Sequence, residues 1–332
     1  MRKLFLTLIS IITLSSHCSA FSYRVEGQVS DPAFEGCQIS LYDNFGGGSV
    51  ASDTIRDGRF ILQGQSDVSF AGSLLGYSKE TKKISCALIV EDGTSIVDID
   101  NARQISGGPL FGKSQEFTEK LSNATPDEVP GLLREVIVSN PDNAFGEMAL
   151  ANYTESCSPD EWSEVYALVT PHVRERERFK ISDQDFNRMR STWIGQPFVD
   201  ITGKTPGGED VRLSDYVGKG KYVLVDFWAS WCGGCIKMAT NTLKPLYENL
   251  KADGRFEIIG VAVSDRPQSS IKAIEQHAYP WPQIIDCGDT PMTDYGFRVL
   301  PMLILFGPDG KVVARSGNPL NTITQINRIL NK

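Results

Sequence analysis

Cys232 and Cys235 sit three residues apart in Asp226-Phe227-Trp228-Ala229-Ser230-Trp231-Cys232-Gly233-Gly234-Cys235. Two thiols at this spacing can close a small disulfide ring. One attacks a foreign disulfide and the other releases the mixed disulfide that forms. The segment falls where an apolar run, Tyr222 to Phe227, hands over to a helical pattern from Ile236 to Lys251. A helix start favours a thiolate through its unpaired N–H groups and the positive end of its dipole, so Cys232 is expected to attack and Cys235 to resolve. The exchange also needs a group that takes and returns the proton of the second thiol, and Asp226, at the end of the strand, is the candidate. The plainer reading of Asp226 is a polar residue satisfied by a backbone bond. Trp228 and Trp231 flank the pair. Packing is their first role, and shaping and shielding the site their second.

A zinc site is the main rival for a CxxC, but it usually takes four ligands. Only Cys287 and His277 stand nearby in sequence, and there is no second CxxC. No metal, and no cofactor beyond the Cys232–Cys235 disulfide itself, is expected.

The elements that must position this pair are strands Tyr222 to Phe227, Phe256 to Val263 and Met302 to Phe306. They alternate with helices Ile236 to Lys251 and Gln268 to His277, an α/β pattern over 191–332. Ahead of it, residues 111–190 read as a helical connector with helices at 114–121, 126–139 and 158–169. Ser158 and Pro159 open the last of these, and Pro171 ends or kinks it. The alternating charges of Arg174 to Arg178 read as a solvated helix face. Residues 21–110 read as a small all-β domain, sandwich-like, with short strands and two hairpins. One hairpin turns at Asp57-Gly58 and the other at Glu91-Asp92-Gly93.

The stretch Asp226 to Cys235 closely resembles the active-site segment of thioredoxins. Tyr295-Gly296-Phe297-Arg298-Val299-Leu300-Pro301 resembles their loop with a cis-proline opposite the disulfide. Trp193 to Phe198 and Leu213 to Tyr216 narrow the likeness to TlpA/ResA-like exported thiol–disulfide oxidoreductases, over about residues 193–332. The resemblance implies a thioredoxin fold, with Cys232 as nucleophile, Cys235 as resolver, Asp226 as proton acceptor and Pro301 in a substrate groove. There the backbone of Leu300 would pair with an extended client segment, and Trp231 is grouped with them. A trans proline opening an edge strand is the plainer reading of Pro301. Residues 21–110 also resemble a β-domain of unknown role found ahead of such domains in envelope proteins, on Asp53 to Leu62 and Ile89 to Gly93. Two positions depart from the family pattern. Gly234 stands where proline is frequent, which adds an N–H near Cys232. Thr240 stands where a helix-kinking proline is frequent, so the active-site helix is expected to run straighter unless Pro245 bends it.

The chain has 332 residues, 41% hydrophobic and 22% charged, with a net charge of −8. The length suits two domains with real cores, and the acidic balance argues against a nucleic-acid partner. Arg2 and Lys3, the apolar run Leu4 to Leu14 and Cys18-Ser19-Ala20 have the layout of a secretory signal peptide over residues 1–20. A lipoprotein anchored at Cys18 is the alternative, and only then is a membrane attachment expected; His17 is an awkward residue before such a site. An exported, periplasmic enzyme would meet envelope proteins with disulfides or thiols and would need a membrane-linked electron donor, since an oxidising compartment supplies none readily. Of the other cysteines, a Cys37–Cys86 bridge is plausible, and Cys157 and Cys287 are expected free and buried. Two rival functions stay open: a disulfide-donating oxidase on the same fold, and a binding or scaffold protein with a redox-switch or vestigial CxxC.

Overall fold

The computed structural model describes residues 20–315 and 319–330, so the signal peptide expected over residues 1–20, save Ala20, and its Cys18 alternative lie outside the described residues. The chain divides into two units. One runs to Glu119 and takes in Asn143–Phe145; the other holds Lys120–Asp142 and the chain from Gly146.

The first unit is built from β1 (Phe21–Gln28), β2 (Gln38–Asp43), β3 (Ser49–Thr54), β4 (Arg59–Ser66), β5 (Phe70–Tyr77), β6 (Lys83–Val90), β7 (Gly93–Asp98) and β8 (Arg103–Ser106). They form two four-stranded sheets, ordered β4-β1-β7-β8 and β3-β2-β5-β6. Alternate residues such as Tyr23, Val25, Ile39, Leu41, Phe60 and Leu74 meet in a shared core.

Both expected hairpins are corrected. The Asp57-Gly58 turn forms, with left-handed φ of 50° and 65° and mutual Arg56–Arg59 backbone bonds of 3.0 Å, but β3 and β4 then part into different sheets. Around Glu91-Asp92, β6 stays with β5 while β7 crosses to lie parallel to β1. A two-residue period marks a strand without saying which strand it pairs with. The sheet order also rules out the Cys37–Cys86 bridge. Cys37 immediately precedes β2 and Cys86 lies on β6, with β5 between them, and both are free and buried. Two strand spacings of about 4.8 Å exceed the span a disulfide allows.

The helices that follow are α1 (Pro109–Ser122), α2 (Val129–Ser139), α3 (Ala144–Tyr153), α4 (Pro159–Leu168), α5 (Pro171–Arg174) and α6 (Glu177–Met189). The Ser158–Glu161 capping box starts α4. Proline disfavours helical geometry in the residue before it, so Thr170 is extended, and Pro171 opens α5. The charge run is not wholly solvated: Arg176 is buried and pairs with buried Glu147 at 2.8 Å. Its partner lies on α3, a helix whose nearly uniform apolar sequence hides the helical period. Trp162 of α4 stacks on Phe186 of α6, ring centroids 4.9 Å apart.

The remaining elements are β9 (Thr202–Lys204), β10 (Asp210–Arg212), β11 (Tyr222–Trp228), α7 (Gly233–Met238), α8 (Lys244–Leu250), β12 (Phe256–Ala262), α9 (Pro267–His277), β13 (Gln283–Ile284), α10 (Thr290–Asp294), β14 (Met302–Phe306), β15 (Val312–Arg315) and α11 (Pro319–Leu330). Five strands make one sheet, β13-β12-β11-β14-β15, with β11, β12 and β13 parallel and β14 antiparallel to β11. This C-terminal sheet with its flanking helices is a thioredoxin fold. β11 is buried on both faces, as its sequence, apolar but for Asp226, leads one to expect: Leu224 and Trp228 face one core, Val223, Val225 and Phe227 the other. The active-site helix does not run straight, the outcome expected should Pro245 bend it. Between α7 and α8 the backbone widens into a π turn, Ala239–Leu243, where the Lys244 N–H reaches back to the Ala239 carbonyl. Pro245 supplies the reason: it has no N–H for the carbonyl of Asn241, and its ring would strike that carbonyl in a regular helix.

Candidate active site

β11 ends in the tight stretch Ala229–Trp231, and Cys232 caps α7 with an extended backbone, φ −85° and ψ 94°. Cys232 and Cys235 are joined by a disulfide, with Cα atoms 5.3 Å apart. Cys232 Sγ accepts the backbone N–H of Cys235 at 3.1 Å, the helix-start donation expected to favour a thiolate. Cys232 keeps 8% exposure and Cys235 1%, an order that suits an outer attacking sulfur and an inner resolving one. Beside them, 64% of Trp231 is exposed while its Nε1 donates to the Ser264 carbonyl at 2.9 Å.

Asp226 lies on the face of β11 that packs against α7, since it alternates with Leu224 and Trp228. It is 2% exposed, and its Oδ1 has no hydrogen-bond partner. Burial pushes its carboxyl up to about 7, into the range where it can trade a proton near neutral pH. The other thiols contrast with the pair: burial pushes Cys86 up to about 11 and Cys157 and Cys287 up to about 12. Cys157 is buried and Cys287 partly so, both free.

The Leu300–Pro301 peptide is cis. Pro301 faces the CxxC turn: a Cβ added at Gly234 would stand 3.7 Å from Pro301 Cδ. Val299, 74% exposed, adds a second apolar residue to Trp231 at this rim. The loop before Pro301 is held from behind. Buried Arg315 donates to the carbonyls of Thr192 (2.8 Å) and Tyr295 (2.7 Å), and Arg298 pairs with Asp185 of α6 at 2.6 Å. Gly296, at φ 63°, leaves no room for a side chain, because a Cβ there would lie 2.6 Å from the Met189 backbone nitrogen. The helical connector thus supports the loop although it carries none of the expected reacting groups.

Residues 194–315 match the AhpC/TSA family. The chain is 30% identical over 129 residues to the thiol-disulfide oxidoreductase ResA of Geobacillus thermodenitrificans, covering 38% of this chain and 71% of the relative. It is 32% identical over 128 residues to ResA of Bacillus cereus, covering 39% and 72%. The chain belongs to the ResA family of thiol–disulfide oxidoreductases. A crystal structure of the thioredoxin domain of a Bacteroides vulgatus thiol-disulfide oxidoreductase is 34% identical, covers 41% of this chain and 97% of that one, and has a TM-score of 0.37.

In this ResA-family enzyme several site residues come from places the motif does not point to. Asp265, just before α9, accepts from the Ser230 N–H (2.6 Å) and hydroxyl (2.9 Å), and from Ser270 Oγ. Gln283 of β13 accepts from Trp228 Nε1 at 3.0 Å. Tyr279 packs edge-on against Trp228, centroids 5.2 Å apart; burial first and the charge of Asp226 second push its hydroxyl up to about 12. Among the described residues, no three of His, Cys, Asp and Glu gather as metal ligands would. Among the same residues no helix is long and apolar enough to cross a membrane.

Proposed function

We propose that this oxidoreductase reduces protein disulfides through Cys232 and Cys235, with Asp226 as the proton acceptor. The Cys232 thiolate attacks one sulfur of a client disulfide; the client bond breaks and its first thiolate leaves. The Cys235 thiol then gives its proton to the Asp226 carboxylate and attacks Cys232 Sγ. That forms the enzyme disulfide and expels the second client thiolate, so two electrons pass to the client. The observation that carries this reading is a helix-start disulfide backed by a buried carboxyl on the adjoining strand whose Oδ1 has no hydrogen-bond partner.

An extended client segment would lie along the rim of Trp231, Val299 and Pro301, pairing with the backbone of Leu300. The basic start, apolar run and small residues of the first twenty positions support export to the periplasm, with attachment to the membrane only through a lipid at Cys18. Clients would be envelope proteins, and a membrane-linked donor would return the disulfide to dithiol. No cofactor beyond the disulfide, no metal and no nucleic acid enter this scheme. The test is turnover on a disulfide-bonded model protein. Cys232→Ser abolishes it, and Cys235→Ser accumulates a mixed disulfide at Cys232. Turnover surviving in Cys232→Ser overturns the assignment.

A further inference from the structure

Asp226, Gly260 and Gln283 form one row across three parallel strands. Asp226 of β11 is in register with Gly260 of β12, and Gly260 with Gln283 of β13. In-register residues of parallel strands project to the same face of a sheet, so the row lies on the face that packs against α7. The middle position has no side chain, and the Gln283 amide fills its place: a Cβ at Gly260 would stand 2.0 Å from Oε1 and 2.6 Å from Nε2. This places the amide over the Gly260 position, on the strand next to Asp226 in the row. Trp228 Nε1 occupies Gln283 Oε1 at 3.0 Å, which fixes the amide's orientation and leaves its NH2 end. Gln283 Nε2 and Asp226 Oδ1 are both buried without a partner. A donor and an acceptor left unpaired in one buried row are costly, unless the pairing belongs to a charge state reached during the reaction.

We infer that Gln283 is a positioning residue for the proton transfer, its NH2 group donating to Asp226 Oδ1 when that carboxylate is ionised to receive the Cys235 proton. The inference rests on the Asp226 reading above. Donation to the charged form lowers a carboxyl's pKa and so offsets the burial that raises it. The titratable groups facing Asp226 are Cys235 from α7 and Tyr279 from the segment after α9. β12 and β14 offer only Gly260 and apolar side chains such as Ile258, Ala262, Leu303 and Leu305 on this face, and α11 brings Ile326 and Leu330. Lys244 of α8 lies over the Tyr279 ring with its ammonium donated to the His277 carbonyl.

The test follows the resolving step in the reduced full-length protein mixed with Ellman's reagent. Attack by Cys232 releases one thionitrobenzoate, and attack by Cys235 on the mixed disulfide releases the second. The rate of the second release against pH reports the proton acceptor. Gln283→Met removes the donor at similar length. Gln283→Glu keeps the acceptor for Trp228 and adds a second carboxyl beside the first, so it is the variant to use should the former fail to fold. Either one is expected to raise the midpoint of the profile by about one unit, slowing the second release at pH 7 about fivefold and restoring it at higher pH. A uniform slowing with an unmoved midpoint overturns the inference and leaves Gln283 a structural residue. Asp226→Asn, run alongside, separates the two failures. If it leaves the profile in place, the Asp226 reading itself falls, and the role of Gln283 with it.

Discussion

The Asp265 carboxylate accepts both the backbone N–H and the hydroxyl of Ser230, at 2.6 and 2.9 Å. Ser230 is two residues ahead of Cys232, so this clamp sets where the chain enters α7. Asp265 also accepts from the Arg266 N–H and the Ser270 hydroxyl, and so ties the active-site turn to the start of α9. Asp265→Ala removes a charged acceptor from four donors. We expect a loss of about 2 kcal/mol in urea unfolding. The first thiol's attack should slow several-fold, because the N–H groups at the helix start no longer meet Cys232 in fixed geometry. Unchanged attack kinetics would mean that the turn holds its shape without the clamp.

Asp226 is expected to cost stability at the pH where it works. Its carboxyl titrates near 7 in the folded chain against an ordinary value of 3.8. The unfolded chain therefore gives up this proton near pH 4, the folded chain only near pH 7. Stability from this group is full below about pH 4, falls through the interval and is gone above about pH 7, a change of about 4 kcal/mol. Asp226→Asn should flatten this dependence and unfold at higher urea than the parent at pH 8, while resolving mixed disulfides more slowly. Parallel stability curves for parent and variant from pH 4 to pH 8 would contradict the burial argument.

Gly234 is the second residue of α7, in the turn whose N–H groups favour the Cys232 thiolate. The N–H that reaches Cys232 Sγ is that of Cys235, yet every free amide at a helix start adds to the positive end of the dipole. Gly234→Pro deletes one of them. The reduced form loses stabilisation, and the potential should fall by on the order of 30 mV, the equivalent of about 1.4 kcal/mol for two electrons. Equilibration with glutathione measures this, and an unchanged or higher potential would count against a thiolate-favouring role for the turn.

The proposed reacting residues are legible in the sequence because they are contiguous: Asp226, Cys232 and Cys235 sit in ten residues, and one strand-to-helix passage positions all three. The residues that hold them are not. Gln283 meets Trp228 across 55 residues of chain and Asp265 meets Ser230 across 35, contacts that depend on the order of strands in the sheet. Sequence period gives strands without partners, which is why β6 and β7 looked like a hairpin although they belong to different sheets. β5 is not legible in the sequence because Gly72 and Gly76 interrupt its pattern. Gly72 is small for a reason visible only in the packed sheet, where a Cβ would come 3.0 Å from Leu41. The π turn before Pro245 shows a known breaker whose effect depends on how the preceding turn can yield.

The most direct test of the central claim is the reduction potential of the Cys232–Cys235 pair, found by equilibrating the full-length protein in glutathione and dithiothreitol buffers and trapping its thiols. The account predicts one two-electron transition near about −270 mV, the poise of a reductase awaiting a donor. A potential near about −120 mV would make the protein a disulfide donor instead, and a pair that forms no disulfide in any buffer would contradict redox catalysis at this site altogether.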